Sequence, residues 1–75
     1  MKLLVNNEIS FDANQSSTVA DLKIFLANEK SWPISDMKIS HNSAYLENET
    51  SLAGFSELSN FDCTIPILGG NLFLH

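Results

Sequence analysis

The sequence predicts one small domain of the α+β class. Two short segments of alternating apolar residues surround an asparagine pair, a capping sequence opens one helix, and further short strands follow a proline. The chain has 75 residues, enough for a single domain. The predicted order is ββαββ plus a final β, which favours a mixed sheet with one helix covering one face.

The first two elements are predicted to form a β-hairpin. In both of them apolar residues alternate with more polar ones, a period of two that is typical of strands with one buried face. The alternating apolar residues are Met1, Leu3, Val5, Ile9, Phe11 and Ala13. Asn6 and Asn7 lie between the two segments, and asparagine tolerates the left-handed backbone of a tight turn.

The helix has recognisable ends. Thr18 is predicted as its N-cap, with Asp21 three residues later in the first turn, where a carboxylate suits both a capping box and the helix dipole. The helix is expected to end near residues 30–31. Trp32 precedes Pro33, and a residue before proline is disfavoured in the helical region.

One face of this helix is predicted to be buried. Val19, Leu22 and Leu26 have helical spacing and form the inner stripe. Ile24 and Phe25 fall outside that stripe. Two interpretations of this pair stay open: a docking face for a partner, or a phenylalanine that folds back over the helix edge, which we favour because single exposed apolar residues are common.

The second half of the chain predicts shorter elements. A strand is expected over 37–41, a turn at 42–43 and a very short strand at 44–46. Residues 51–55 are typical of a single helical turn ended by glycine. A last strand is predicted over 63–67, and because its proline lacks an N–H, one side of that strand is expected to lie unpaired or at an edge.

Composition excludes several classes of function. Asp plus Glu is 9, Lys plus Arg is 4 without any arginine, and the net charge is -5, so the domain is a poor nucleic-acid binder. One cysteine excludes an internal disulfide. We expect no membrane span, no signal peptide and a cytoplasmic location, with the nucleus as an alternative.

We also expect no enzyme activity, catalytic residue, cofactor or metal. The sequence has no Ser-His-Asp arrangement, P-loop or dinucleotide motif. Cys63 alternates with isoleucines and is predicted to be a buried, inert thiol. His41 is predicted on a strand face, and His75 is far from any pair of cysteine ligands. Trp32 is expected to anchor the helix end in the core.

Five segments together resemble the ubiquitin-like family. They are MKLLV at 1–5, TVADLK at 18–23, WPISDMKI at 32–39, LENETSL at 46–52 and LGG at 68–70. The resemblance spans nearly the whole chain and implies a β-grasp fold. It is closest to a diverged ubiquitin-like domain fused N-terminally to a small-subunit ribosomal protein.

The resemblance implies a processing or conjugation site at Gly69 and Gly70. Members of the family end in a diglycine that threads narrow enzyme tunnels, where only glycine lets the backbone approach closely. Here five residues follow Gly70, as in a precursor. We therefore expect a ubiquitin-like domain over 1–68, and a diglycine with a flexible tail over 69–75 that begins a downstream fusion partner. A plain linker is the alternative.

Departures from ubiquitin itself are informative. Ser40, Thr64 and Pro66 stand where the resemblance places ubiquitin's apolar receptor-binding patch. Because these residues do not form such an apolar patch, ordinary ubiquitin receptors are not expected to bind. Ile67 and Leu68 stand where ubiquitin carries tail arginines. The segment Ile67-Leu68-Gly69-Gly70 is therefore more similar to the end of the ubiquitin-like domain in the ribosomal-protein fusions than to the end of ubiquitin itself.

The leading functional expectation is a monomeric, non-enzymatic domain that aids the folding or solubility of a fused ribosomal protein. One partner that the resemblance implies is a processing protease that cleaves after Gly70. The precursor is either cleaved there or stays whole, and both alternatives are left open. The alternatives are a modifier conjugated through Gly70 and a stand-alone interaction module. For such a module, the candidate partner surface is Leu4, Ile24 and Phe25.

Overall fold

The first two strands form the predicted hairpin. In this computed structural model, which describes residues 1–67 and 70–71, β1 (Lys2–Val5) pairs antiparallel with β2 (Ile9–Asp12). Asn6 and Asn7 both have left-handed backbone, with φ of 52° and 62°. The Glu8 N–H donates to the Val5 carbonyl at 3.1 Å and closes the turn. The prediction from the asparagine pair is confirmed.

A five-stranded mixed sheet and the helix α1 form the main part of the described domain. The further strands of the sheet are β3 (Lys38–His41), β4 (Ala44–Tyr45) and β5 (Asn60–Thr64). The strand order is β2-β1-β5-β3-β4, with β1 and β5 parallel at the centre and the other pairs antiparallel. The predicted α+β class is confirmed, and the arrangement is compatible with a β-grasp-like fold.

The helix α1 (Val19–Lys30) begins and ends as the sequence predicts. The Thr18 hydroxyl accepts from the Asp21 N–H at 3.3 Å, and the Thr18 N–H donates to the Asp21 carboxylate at 2.9 Å, which completes a capping box. At the other end Ser31 is left-handed, and its N–H donates to the Ala27 carbonyl at 3.0 Å.

The capping box gives a testable contribution to stability. We expect Thr18→Ala to lower the free energy of unfolding by about 1 kcal/mol, because the Asp21 N–H at the helix start loses the hydroxyl that accepts its hydrogen bond. Urea unfolding followed by circular dichroism at 222 nm measures this. Thr18→Ser keeps the hydroxyl and is the control. Equal losses in the two variants would contradict the assignment.

The core lies between α1 and the inner face of the sheet. Its fully buried members come from the helix, from three strands and from the loop before β5. They are Leu3, Val5, Val19, Leu22, Leu26, Ile39, Leu52 and Phe61. The predicted inner stripe of the helix is thereby confirmed. Trp32, beyond the helix end, is half-buried and packs against this core.

The last strand differs from its prediction over 63–67. It starts earlier, at Asn60, and the ladder with β3 ends at the Lys38–Thr64 pair, because β3 begins there. Beyond it Pro66 has no N–H to extend the ladder. Instead β6 (Pro66–Ile67) pairs antiparallel with β7 (Gly70–Asn71) as a separate two-stranded sheet.

The segment 51–55 forms a turn and not the predicted helical turn. Ser51 makes a backbone bridge with Thr18, and the Leu52 N–H donates to the Ser17 carbonyl at 2.9 Å. These bonds hold the chain extended against the start of α1. The Phe55 N–H then donates to the Leu52 carbonyl at 3.2 Å. Both predicted inward residues do face the core, Leu52 fully and Phe55 partly.

The connection between α1 and β3 contains an element that the sequence did not predict. Residues Ile34–Asp36 form a 3-10 helix, with the Asp36 N–H donating to the Pro33 carbonyl at 3.2 Å. The following β3–β4 turn is as predicted, with Asn42 and Ser43 both left-handed.

Candidate functional site

The predicted processing site falls largely outside the described residues. Leu68, Gly69 and residues 72–75 are not among them, and neither is the predicted domain boundary between 68 and 69. Gly70 is the first residue of β7, where its backbone pairs with Ile67. Cleavage after Gly70 and conjugation through it stay predictions.

The three residues of the predicted partner surface do not form one surface. Leu4 alternates with the buried Leu3 and Val5, so it points away from α1 on the outer face of the sheet. Phe25 is half-buried, and its ring packs on Phe11 with centroids 5.1 Å apart. Phe25 therefore folds over the helix edge, the interpretation favoured from the sequence.

The outer face of the sheet is polar at the positions compared with ubiquitin's patch. Ser40 lies beside Asp62, and Thr64 lies beside Lys38, in the β3–β5 register. Thr64, Asp62 and Lys38 are exposed, and Ser40 is half-buried. These side chains offer hydrogen bonds and charge to a partner, and little apolar area.

Ile24 takes part in a groove that the sequence did not predict. Ile24 is 50 % exposed, and it lines the groove together with Ile34 of the 3-10 helix, which is 44 % exposed. The groove has a volume of about 260 Å³, and Lys23 and Asn48 form its wall. The Lys23 ammonium donates to the Asn48 side-chain oxygen at 2.7 Å.

A second groove continues on the other side of this Lys23–Asn48 pair. It has a volume of about 250 Å³, and it is lined by Lys38, Tyr45 and Glu47 as well as by the shared pair. Tyr45 is 71 % exposed, and the Lys38 ammonium lies 5.8 Å from the centre of its ring. This distance is within the range of a cation–π contact.

Ile34 has no role in the sequence-based prediction, because residue 34 appears there only as part of the segment that leads into the third strand. One signal was available: Ile34 is an isolated aliphatic residue between Pro33 and Ser35. An aliphatic side chain in a turn either enters the core or lies on the surface, and nothing local decides which. Only the orientation of the 3-10 helix against α1 places Ile34 in the same groove as Ile24.

His41 has a structural position. Its Nδ1 lies 2.9 Å from the Asn60 carbonyl oxygen, which accepts, so Nδ1 carries the hydrogen and donates. Its ring packs against Phe55 and Phe61, with centroids 4.9 and 5.1 Å away. The ring thus joins β3, β5 and the preceding loop.

Cys63 is buried on the inner face of β5, as predicted. Burial raises the pKa of its thiol to about 11, although the charge of Lys23 acts in the opposite direction. The thiol is therefore protonated at neutral pH, which disfavours a nucleophilic role because the thiolate is the reactive form.

We expect Cys63 to resist alkylation in the folded protein. At pH 8 the thiolate fraction is about a hundredfold smaller than for an unperturbed thiol, and burial limits access further. Iodoacetamide labelling followed by mass spectrometry measures the rate, with the urea-unfolded chain as control. Equal labelling of folded and unfolded chains would contradict this expected resistance.

The raised pKa of the folded Cys63 thiol also affects stability. The stability that comes from burying the neutral thiol is present below about pH 9 and is lost as pH rises towards 11.

Two further findings concern the part of the chain that the structure describes. No group of three or more His, Cys, Asp or Glu side chains is placed there to hold a metal ion. The one α-helix over residues 1–67 is too short to cross a bilayer.

Comparison with known proteins adds no relationship to these observations. No family model matches the chain, and no curated protein has a sequence that is significantly similar to it.

Proposed function

We propose that this chain is a non-enzymatic, ubiquitin-like acidic domain that precedes a basic ribosomal protein in a precursor. Its role is to aid the folding or solubility of that protein in the cytoplasm, before the basic partner joins the ribosome. Cleavage after Gly70 would release the domain.

The observation that carries this proposal is the distribution of charge. All nine acidic residues are exposed, and no lysine lies within ion-pair distance of a carboxylate among the residues described. The ion pair that is present joins the N-terminal ammonium and Asp12 at 3.9 Å. An unneutralised acidic surface attracts a strongly basic neighbour and screens it from non-specific contacts with RNA.

The α+β sheet order also supports the ubiquitin-like part of the proposal. Five strands in the order β2-β1-β5-β3-β4, with one helix after the first hairpin, are compatible with a β-grasp-like fold. A polar outer sheet face agrees with a domain that has no need to bind ordinary ubiquitin receptors.

The fusion itself is tested on the full parent protein. We expect its sequence to continue after His75 with a run of Lys and Arg, and its intact mass in cells to correspond to the precursor or to a chain that ends at Gly70. A native chain that ends at His75 would refute the fusion.

The role of the acidic surface is tested by neutralising it. Glu8, Glu29 and Glu49 are exposed and accept no hydrogen bond from a described residue, so Glu→Gln at all three removes three negative charges without disturbing a contact. We expect this variant to lower the soluble fraction of the full parent protein after expression. Glu→Asp at the same positions keeps the charge and is the control. Equal solubility of the two variants would contradict the proposed role.

A further inference from the structure

We infer that the two grooves on either side of the Lys23–Asn48 pair form one docking surface for a short acidic peptide segment with aliphatic side chains. This surface is independent of the diglycine and of any fusion. We call it the Lys23 surface and define it by Lys23, Ile24, Ile34, Lys38, Tyr45 and Asn48.

The geometry supports one continuous surface. Lys23 and Asn48 line both grooves, and a 2.7 Å hydrogen bond joins their side chains in the common wall. Each groove is about 250–260 Å³, which suits one or two side chains of a peptide and not a drug-sized cofactor.

Apolar area is concentrated on one side of this wall. Ile24 and Ile34 come from different elements, the helix and the 3-10 helix, and both keep about half of their side chain in water. Two aliphatic residues converging on one groove provide area that a valine, isoleucine or leucine of a partner can cover.

The charge of the Lys23 surface identifies the chemistry of that partner. The residues that line the two grooves include two of the four lysines and one acidic residue, Glu47. The other two lysines and eight acidic residues lie outside the grooves, and of these Asp62 shares the outer sheet face with Lys38. A basic peptide would be attracted to almost any other part of this protein. An acidic peptide is repelled elsewhere and is attracted here.

The lysines retain donors for such a partner. An ammonium group has three N–H donors, and the Lys23 ammonium has one contact, with Asn48, among the residues described. Lys38 extends over the exposed ring of Tyr45, where its charge faces solvent. Carboxylates that flank the aliphatic residues of the peptide can therefore pair with both ammonium groups.

The test is an NMR titration with a defined probe. The probe is an acetylated heptapeptide, Asp-Glu-Val-Ile-Leu-Glu-Asp, added to the ¹⁵N-labelled 75-residue chain at low salt. We expect a dissociation constant of about 0.1–1 mM, with amide shifts concentrated at Lys23, Ile34 and Asn48. A control peptide with Asn and Gln in place of the acidic residues should bind at least about threefold more weakly.

Matched variants separate the two contributions. Ile34→Asn should weaken binding about fivefold, whereas Leu58→Asn, an equally polar change at another exposed aliphatic residue, should leave it unchanged. Lys38→Gln should weaken binding about threefold, and Lys30→Gln, outside both grooves, should not. The ¹⁵N spectrum of each variant establishes that it is folded.

Three outcomes would overturn the inference. The first is the absence of shifts at the Lys23 surface at about 1 mM peptide. The second is equal binding of the acidic and the amide peptides. The third is equal loss of binding in Lys38→Gln and Lys30→Gln, which would indicate a general charge effect and no defined surface.

Discussion

Phe61→Ala is expected to unfold most of the protein at 37 °C. Phe61 has no exposed surface and is the largest of the fully buried side chains in the described part of the chain. Replacing such a phenylalanine with alanine costs about 3–5 kcal/mol, from the lost transfer free energy and the cavity that remains. Small domains have a total stability near the lower end of about 5–15 kcal/mol, so little would be left.

The position of Phe61 explains the size of this effect. Its ring packs edge-on against Phe55 at 4.9 Å and lies 5.1 Å from the ring of His41. Its backbone pairs with Val5 in the central parallel ladder. The cavity would therefore open where β1, β3 and the loop before β5 meet, and three elements would lose packing together.

Urea unfolding and the dispersion of amide signals measure this loss. Phe25→Ala is the matched control, because Phe25 is half-buried and packs at the helix edge against Phe11. We expect that control to cost about 1–2 kcal/mol and to remain folded. Similar losses at the two positions would show that Phe61 is not the centre of the core.

Asn6→Ala is expected to cost about 3 kcal/mol, from two separate causes. Asn6 has a φ of 52°, and a left-handed backbone is unfavourable for alanine by about 1–2 kcal/mol. Its side chain also extends the parallel β1–β5 ladder. The side-chain oxygen accepts from the Cys63 N–H at 2.9 Å, while the Asn6 N–H donates to the Phe61 carbonyl at 2.8 Å.

Asn6→Gly separates the two causes. Glycine accepts the left-handed backbone but leaves the Cys63 N–H without its partner, so a loss of about 1–2 kcal/mol is expected. Both variants are measured by urea unfolding at the same pH. If alanine and glycine were equally destabilising, backbone strain at Asn6 would play no part, and the whole effect would come from the hydrogen bond.

Local patterns predicted most of the regular structure. Alternation and the asparagine pair predicted the first hairpin, and Thr18, Asp21 and Trp32 predicted both ends of the helix. These predictions succeed because the signals are local: a capping box or a left-handed turn is decided by residues three or four apart. Two predictions differ from the structure: residues 51–55 form a turn and not a helical turn, and the strand predicted over 63–67 starts earlier and is divided after Thr64. Both differences depend on distant partners, namely Ser17 and Lys38.

The features of the candidate site were likewise predicted from the sequence only in part. Composition alone determined that the protein is acidic, lacks arginine and has no disulfide framework. It did not indicate that Ile24 and Ile34 line one groove, or that Lys23 and Lys38 line adjoining grooves, because these residues are brought together by the packing of the 3-10 helix and β3 against α1. Surface neighbours are set by tertiary contacts, and so only the folded structure decided where a partner can bind.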